Sequence, residues 1–348
     1  MLKSLQIGRG LAALAVTLFH TSLLFADPRF GYAPPFAAWT AHGDLGVDFF
    51  FVLSGFIMML AHRKDIGQAG RLRDFAFKRF VRIYPMYWLF TLLVIAGAAF
   101  SGGVSALPSQ PGDIASITSL VHFTGIQTPV AVAWTLFHEI LFYGFFGMLI
   151  AHRKLGTAAM ALWFGAIALQ FHYTPFGQWS FFGSLFSAHN LSFLLGIAAC
   201  FLVQKLSGPA VWLHLLGGFA LLCAVLLIED AMGYSDFLKL GYSIAFAYII
   251  SGCVALEQEG RLRGNAFLLL LGDASYTLYL CHENVGATAL KIAARVGLTS
   301  HIDHRILYAF IVVAVTFFAL AVYRYIERPM LTWLRQRYLA RQGANLPR

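Results

Sequence analysis

Arg9 and His20 stand eleven residues apart in one continuous apolar run, in a chain that otherwise keeps charge out of such segments. At about 100° per residue, eleven steps of an α-helix return to nearly the same face after about 16 Å of rise. A guanidinium near one membrane face and an imidazole near the other therefore share a single stripe. Holding an ionisable group at such depth costs about 2.5 to 3.5 kcal/mol or more, so residues of this kind are functional-site candidates. A positioned imidazole, with an ordinary pKa of about 6.5, can take the proton of a hydroxyl as that hydroxyl attacks a carbonyl. It can also serve as the nucleophile itself.

Other ionisable groups fall at related depths. Asp48, in GVDFFFVLSGF, is expected at a height similar to His20. A carboxylate there either holds the imidazole in one tautomer or caps its own helix. Glu139 lies inside WTLFHEILFY with Trp134, Thr135, His138 and Tyr143; it either takes part in chemistry or is a structural carboxylate paired with an arginine or tyrosine. In ASYTLYLCHE, Ser275, Tyr279 and His282 fall on roughly one helical face. His282 points toward the outer side, where it either binds an acceptor or sits in the headgroup layer. Arg79 and Arg82 are three residues apart, immediately before Tyr84 and Pro85. Paired guanidinium groups suit phosphate because their planar forks grip oxyanions bidentately, although arginines beside a span also serve as topology signals.

The elements that position these groups can be read from composition. With 59% apolar residues, 12% charged residues and a mean hydropathy of +0.70, the chain is too apolar for a soluble domain. The net charge of +9 does not imply nucleic acid, because few soluble faces exist to carry a basic patch. All four cysteines lie in apolar stretches without metal-type spacing, which argues against a metal site or a disulfide framework. Apolar windows predict an all-α, polytopic membrane protein with about ten spans, near 5–25, 46–62, 82–100, 130–151, 156–173, 184–204, 210–229, 236–256, 267–288 and 306–326.

Of the 25 lysines and arginines, all but Arg29, Lys239, Lys291, Arg295 and Arg305 fall on one side of that arrangement. The positive-inside rule then places both termini in the cytoplasm. The connections are too short for a second globular domain, so one membrane domain fills residues 1–348. The basic segment 63–82 is expected to form an interfacial helix leading into the third span, and the basic tail 327–348 has the same character. The first apolar run is expected to be retained, since a cleaved signal has little use for Arg9 and His20 and Leu24 fits a cleavage site poorly.

Six segments in order, RGLAALAVTLFH from Arg9, GVDFFFVLSGF from Gly46, FKRFVRIYPMYW from Phe77, WTLFHEILFY from Trp134, ASYTLYLCH from Ala274 and ERP at Glu327, resemble the successive motifs of the acyltransferase-3 family of membrane O-acyltransferases. The resemblance implies a ten-helix fold in a bacterial inner membrane and transfer of an acetyl group from cytoplasmic acyl-CoA to a sugar hydroxyl. The acceptor it implies is an extracytoplasmic glycan, an exopolysaccharide or a lipid-linked oligosaccharide. It also implies functional roles for Arg9 and His20, and it matches Arg79 and Arg82 to an arginine pair at the cytoplasmic entrance, with Tyr84 beside them. His138 before Glu139 resembles the exopolysaccharide-acetylating members, and the hydrolase-like C-terminal domain of some relatives is not expected here. The rival reading is a proton-coupled transporter or glycan flippase that uses Arg9, His20, Glu139 and His282 as a relay.

Overall fold

The computed structural model describes residues 2–30, 32–100, 108, 110–170, 180–233 and 235–344. The described residues are helical, with short connections and no strand. The principal helices are α1 (Lys3–Ala26), α2 (Gly46–His62), α3 (Leu72–Phe100), α4 (Trp134–Ala151), α5 (Arg153–Leu169), α6 (Leu191–Leu202), α7 (Pro209–Met232), α8 (Asp236–Gln258), α9 (Ala266–Asp273), α10 (Ser275–Arg295), α11 (His304–Val322) and α12 (Arg328–Ala344). A backbone in lipid must satisfy its own hydrogen bonds, and only a helix does so within one segment. Local chemistry sets their ends. Asn265 caps α9 by accepting from the Phe267 and Leu268 amides, Asp303 caps α11 through the Arg305 amide, and Pro209 opens α7 after Gly208 at positive φ.

Eight described helical stretches are long and apolar enough to cross a membrane. The chain is therefore a polytopic membrane protein, and two of the expected spans take a different form. The segment expected at 156–173 forms α5, whose 17 residues reach only about 26 Å against a hydrocarbon core of about 30 Å; residues 171–173 lie outside the described ones. The span expected at 267–288 is broken at Ala274 into α9 and α10. The polar character of α10 has a physical reason: every side chain from Ser275 to His282 is buried inside the bundle, so this stretch needs no apolar coat. By contrast α7 exposes Leu213, Leu216 and Leu227 and presents an apolar surface fit for lipid.

The expected interfacial helix and third span are one object. The helix α3 runs unbroken through Pro85, together with the turn Ala69–Arg71 spanning 32 residues, about 48 Å. Proline removes an amide donor and displaces the carbonyl four residues earlier. The carbonyl so affected is that of Val81; two residues on, Tyr276 of α10 donates to the Ile83 carbonyl at 2.7 Å and ties the two helices together beside the proline. The tail likewise continues α11. A π-helical turn at Tyr323–Glu327 joins it to α12, which is the expected basic tail helix; residues 345–348 lie outside the described ones.

Helices α1, α2, α6, α9 and α10 pack closely where side chains vanish. A Cβ at Gly196 would collide with the Val52 carbonyl oxygen, and one at Gly55 with that of Phe193, so α2 and α6 touch backbone to backbone. Across the bundle Gly272 of α9 meets the Gln6 carbonyl of α1 in the same way. Gly196→Val should therefore cost about 1 to 3 kcal/mol through overpacking. Gly165→Val, at a position with open space around it, should leave thermal stability in detergent within about 0.5 kcal/mol of wild type. Equal melting temperatures for the two variants would remove the close α2–α6 contact from the stability argument.

Candidate active site

A cavity of about 890 Å³ opens among α1, α2, α3, α4, α10 and α12, within the size range of sites for drug-sized ligands. At its mouth Lys78, Arg328 and Arg335 are exposed. Deeper in, the walls carry Arg79, Arg82, Arg9, Glu139 and Ser275, ending at Phe50 and Tyr279. Six cationic side chains face four carboxylates across this space, which leaves it electropositive.

The carboxylates are held in place. Glu327, fully buried at the π-helical turn, pairs with Arg82 at 3.2 Å and accepts from the Thr277 hydroxyl at 2.5 Å. The guanidinium of Arg82 also lies 5.0 Å from the centre of the Tyr276 ring. Glu139 accepts from Tyr143 and, at 3.3 Å, from Ser54. Asp273 accepts from Gln6, and Asp74 accepts from Tyr338 at 2.7 Å, tying α12 to α3. Phe77 and Tyr338 stack beside that bond with centroids 3.8 Å apart.

The guanidinium groups differ in how firmly they are held. Arg79 rests over the rings of Tyr143 and Phe75, at 5.6 and 5.8 Å, with its Nε buried and unpartnered. Arg9 makes no hydrogen bond or ion pair among the described residues. The hydroxyl of Ser275 is buried without a partner on the same cavity wall. Donors left free beside an electropositive cavity are what an anionic ligand would engage.

Beyond Tyr279 lies the histidine pair. The rings of His20 and His282 meet edge to face, with centroids 4.9 Å apart, and the Tyr279 ring lies 5.9 Å from His282. His20 Nδ1 sits 3.0 Å from the Val16 carbonyl oxygen. A carbonyl only accepts, so Nδ1 carries a proton, and in the neutral ring Nε2 is the nitrogen with the lone pair.

This corrects the expected role of Asp48. It does not hold His20: its carboxylate lies 3.6 Å from Nδ1 of His189, whose Nε2 meets Lys239 at 2.9 Å. The tautomer of His20 is set by its own helix backbone instead. Trp134, expected with Ser275 and His282 to bind the substrate, and Tyr84, expected beside the arginine pair, both lie outside the cavity lining. Trp134 packs on His138 and His189, at 5.7 and 5.2 Å, away from the cavity. Tyr84 donates to the Ser119 carbonyl at 2.8 Å and stacks on Phe80, on the far side of α3 from Arg79 and Arg82. Being five residues past Arg79 and two past Arg82, it points about 140° to 160° away from both.

Of the residues singled out by sequence, Arg9, Arg79, Arg82, Glu139 and Ser275 meet in the cavity, and His20 and His282 meet beyond it. Sequence reasoning gave no role to Glu327, Arg328 or Arg335, although the ERP motif carries the first two. It also missed His189, which lies 3.6 Å from Asp48, and Asn190, whose side-chain oxygen bonds His138 at 3.0 Å. Removing one partner from the buried Arg82–Glu327–Thr277 set should be costly. Glu327→Ala is expected to lose about 3 kcal/mol of stability and Thr277→Val about 1 kcal/mol, measured by thermal unfolding in detergent; a Glu327→Ala protein as stable as wild type would show that the pair carries no structural weight.

The sequence profile of the acyltransferase-3 family, described as an acyltransferase domain, matches residues 2–324. The chain is 28% identical over 305 residues to the exopolysaccharide production protein ExoZ of Rhizobium meliloti, covering 83% of this chain and 90% of that protein. It is 28% identical over 323 residues to the acyltransferase MdmB of Streptomyces mycarofaciens, covering 81% of this chain and 78% of that one. A shorter stretch of 154 residues is 26% identical to the peptidoglycan O-acetyltransferase OatA of Listeria monocytogenes, covering 44% of this chain and 21% of that protein. No solved structure matches the chain.

Proposed function

Because the chain belongs to the acyltransferase-3 family, we propose that this membrane O-acyltransferase takes an acetyl group from cytoplasmic acetyl-CoA and delivers it to a sugar hydroxyl of an extracytoplasmic glycan. The observation that carries the reading is the basic-mouthed cavity lined by Arg79, Arg82 and Arg9, whose wall residue Tyr279 lies against His282 of the His20–His282 pair. The names of the relatives, one in exopolysaccharide production and one a peptidoglycan O-acetyltransferase, support a glycan as acceptor. The lysine and arginine bias supports a cytoplasmic mouth in a bacterial inner membrane.

On this reading the CoA phosphates rest among the cations of the mouth, and the pantetheine arm threads past Arg9 along the stripe shared with His20. The sugar hydroxyl enters from the other side. Its oxygen attacks the thioester carbonyl while Nε2 of His20 takes its proton. The carbon–sulfur bond then breaks, and the departing thiolate recovers the proton from the imidazolium. The nucleotide stays on its own side, and only the acyl group crosses.

Glu139 is a positioning residue on this account. Its bonds to Tyr143 and Ser54 hold α2 and α4 together around the cavity, and Tyr143 supports Arg79.

Three outcomes test the reading. Purified wild-type protein should bind acetyl-CoA and hydrolyse it slowly; a transporter or flippase has no reason to do either. Arg79→Gln should weaken CoA binding by about 10- to 150-fold in a salt-sensitive way, the loss of one charge-assisted contact. Unchanged binding by calorimetry would reduce Arg79 to a topology signal. His20→Ala should lower glycan acetylation by about 10²- to 10⁴-fold while CoA binding persists. Substantial turnover in a properly inserted His20→Ala protein would remove His20 from the mechanism.

A further inference from the structure

The two imidazoles beyond the cavity are held in the same state by the same device. His20 gives its Nδ1 proton to the Val16 carbonyl, and His282 gives its own to the carbonyls of Leu278 and Tyr279, at 3.2 and 2.8 Å. Each Nδ1 therefore carries a proton, and in the neutral ring the lone pair is on Nε2. The helices carrying them, α1 and α10, pack against one another, and the rings touch at a centroid separation of 4.9 Å. His282 is 2% exposed, and its Nε2 is buried with no hydrogen-bond partner. Leaving such an acceptor unsatisfied costs about 1 to 3 kcal/mol. A fully buried polar group is normally hydrogen-bonded; His62 Nε2 and His189 Nδ1 are also buried without a hydrogen-bond partner among the described residues, and His282 Nε2 differs from them in belonging to a ring that meets His20.

His282 also continues a line that begins in the cavity. Ser275, Tyr279 and His282 are spaced i, i+4 and i+7 on α10, so the same helical face lines the cavity wall and then presents His282 beside His20. One hydroxyl proton bonds one acceptor nitrogen. Two acceptors on rings in contact call for two hydroxyl donors side by side.

We propose that His282 is an acceptor-binding residue that selects a vicinal diol: its Nε2 accepts a hydrogen bond from the sugar hydroxyl adjacent to the one whose proton goes to His20. The inference rests on the acyltransferase reading and specifies its substrate class. No bond is made or broken at His282. It keeps its tautomer throughout, and its contribution is to fix the rotation of the sugar ring over His20.

The test uses membranes containing the full-length protein, labelled acetyl-CoA and the glycan of the cells that produce it, with the acetylated position mapped by NMR. The acetate is expected on a secondary hydroxyl whose neighbouring ring carbon bears a free hydroxyl. An acetate on a hydroxyl with no free neighbour, such as a primary exocyclic position, overturns the proposal without any variant having to fold. In parallel, His282→Ala should raise the KM for glycan about 10-fold with acetyl-CoA affinity unchanged, and His282→Gln, which keeps an acceptor oxygen, should recover part of that loss. A fall in kcat at constant KM in His282→Ala would assign His282 to the chemical step and overturn the diol grip. Absence of any acetyl transfer by wild-type membranes would defeat the acyltransferase reading and this one together; transfer to an isolated hydroxyl defeats this one alone.

Discussion

The cost of placing charge inside an apolar bundle governs this structure. A lone ionised group at that depth is expensive, so it must be paired, hydrogen-bonded or turned toward a polar space. The chain meets this demand by collecting many of its deep ionisable groups around one cavity, and it holds each cavity carboxylate with specific donors: Glu327 with Arg82 and Thr277, Glu139 with Tyr143 and Ser54, Asp273 with Gln6, Asp74 with Tyr338. Apart from Tyr143, one turn from Glu139 on α4, these donors come from parts of the chain distant in sequence. Satisfying the charges is therefore the same act as assembling the bundle.

Asp48 Oδ1, His62 Nε2, Thr91 Oγ1, Gln170 Oε1 and His189 Nδ1 are buried without a hydrogen-bond partner among the described residues outside the cavity lining, but four other free groups share one region. Arg9, the Nε of Arg79, the hydroxyl of Ser275 and the Nε2 of His282 lie on the walls of the cavity or just beyond it, among neighbours that are otherwise satisfied. Arg9, Arg79 and Ser275 line the cavity itself, and His282 stands beyond Tyr279. Cationic and hydroxyl donors on the wall, with imidazoles beyond it, suit the proposed anionic donor and hydroxyl-bearing acceptor.

Backbone carbonyls, not carboxylates, set the two imidazoles at the far end of the path. A carboxylate partner would favour the imidazolium, whereas a carbonyl fixes the tautomer of the neutral ring with a weaker pull on the proton. On the mechanism proposed above, in which a base accepts a hydroxyl proton and returns it to a thiolate, a neutral ring with a free Nε2 is the useful ground state. Asp48 serves a separate polar cluster with His189 and Lys239, where Trp134 and His138 also pack.

Helical period and the cost of solvation are legible in the chain one segment at a time. Long apolar runs dictate membrane helices, the helical repeat puts Arg9 in line with His20 and Ser275 in line with His282, and the cost of burying charge marks Arg79, Arg82 and Glu139 as residues with partners or purpose. Which segments face one another is a property of the packed bundle alone. Equal expected depth suggested that Asp48 would reach His20, but depth leaves the angle about the bundle open, and packing gave Asp48 to His189 instead. Nearness in sequence grouped Tyr84 with the arginine pair, yet the turn of α3 points it to Ser119. A polar stretch at Ser275–His282 is a poor membrane span by composition, and only its burial among other helices explains why it is tolerated. Glu327 shows the same limit, because nothing in ERP announces that a π-helical turn will carry its carboxylate to Arg82, 245 residues earlier.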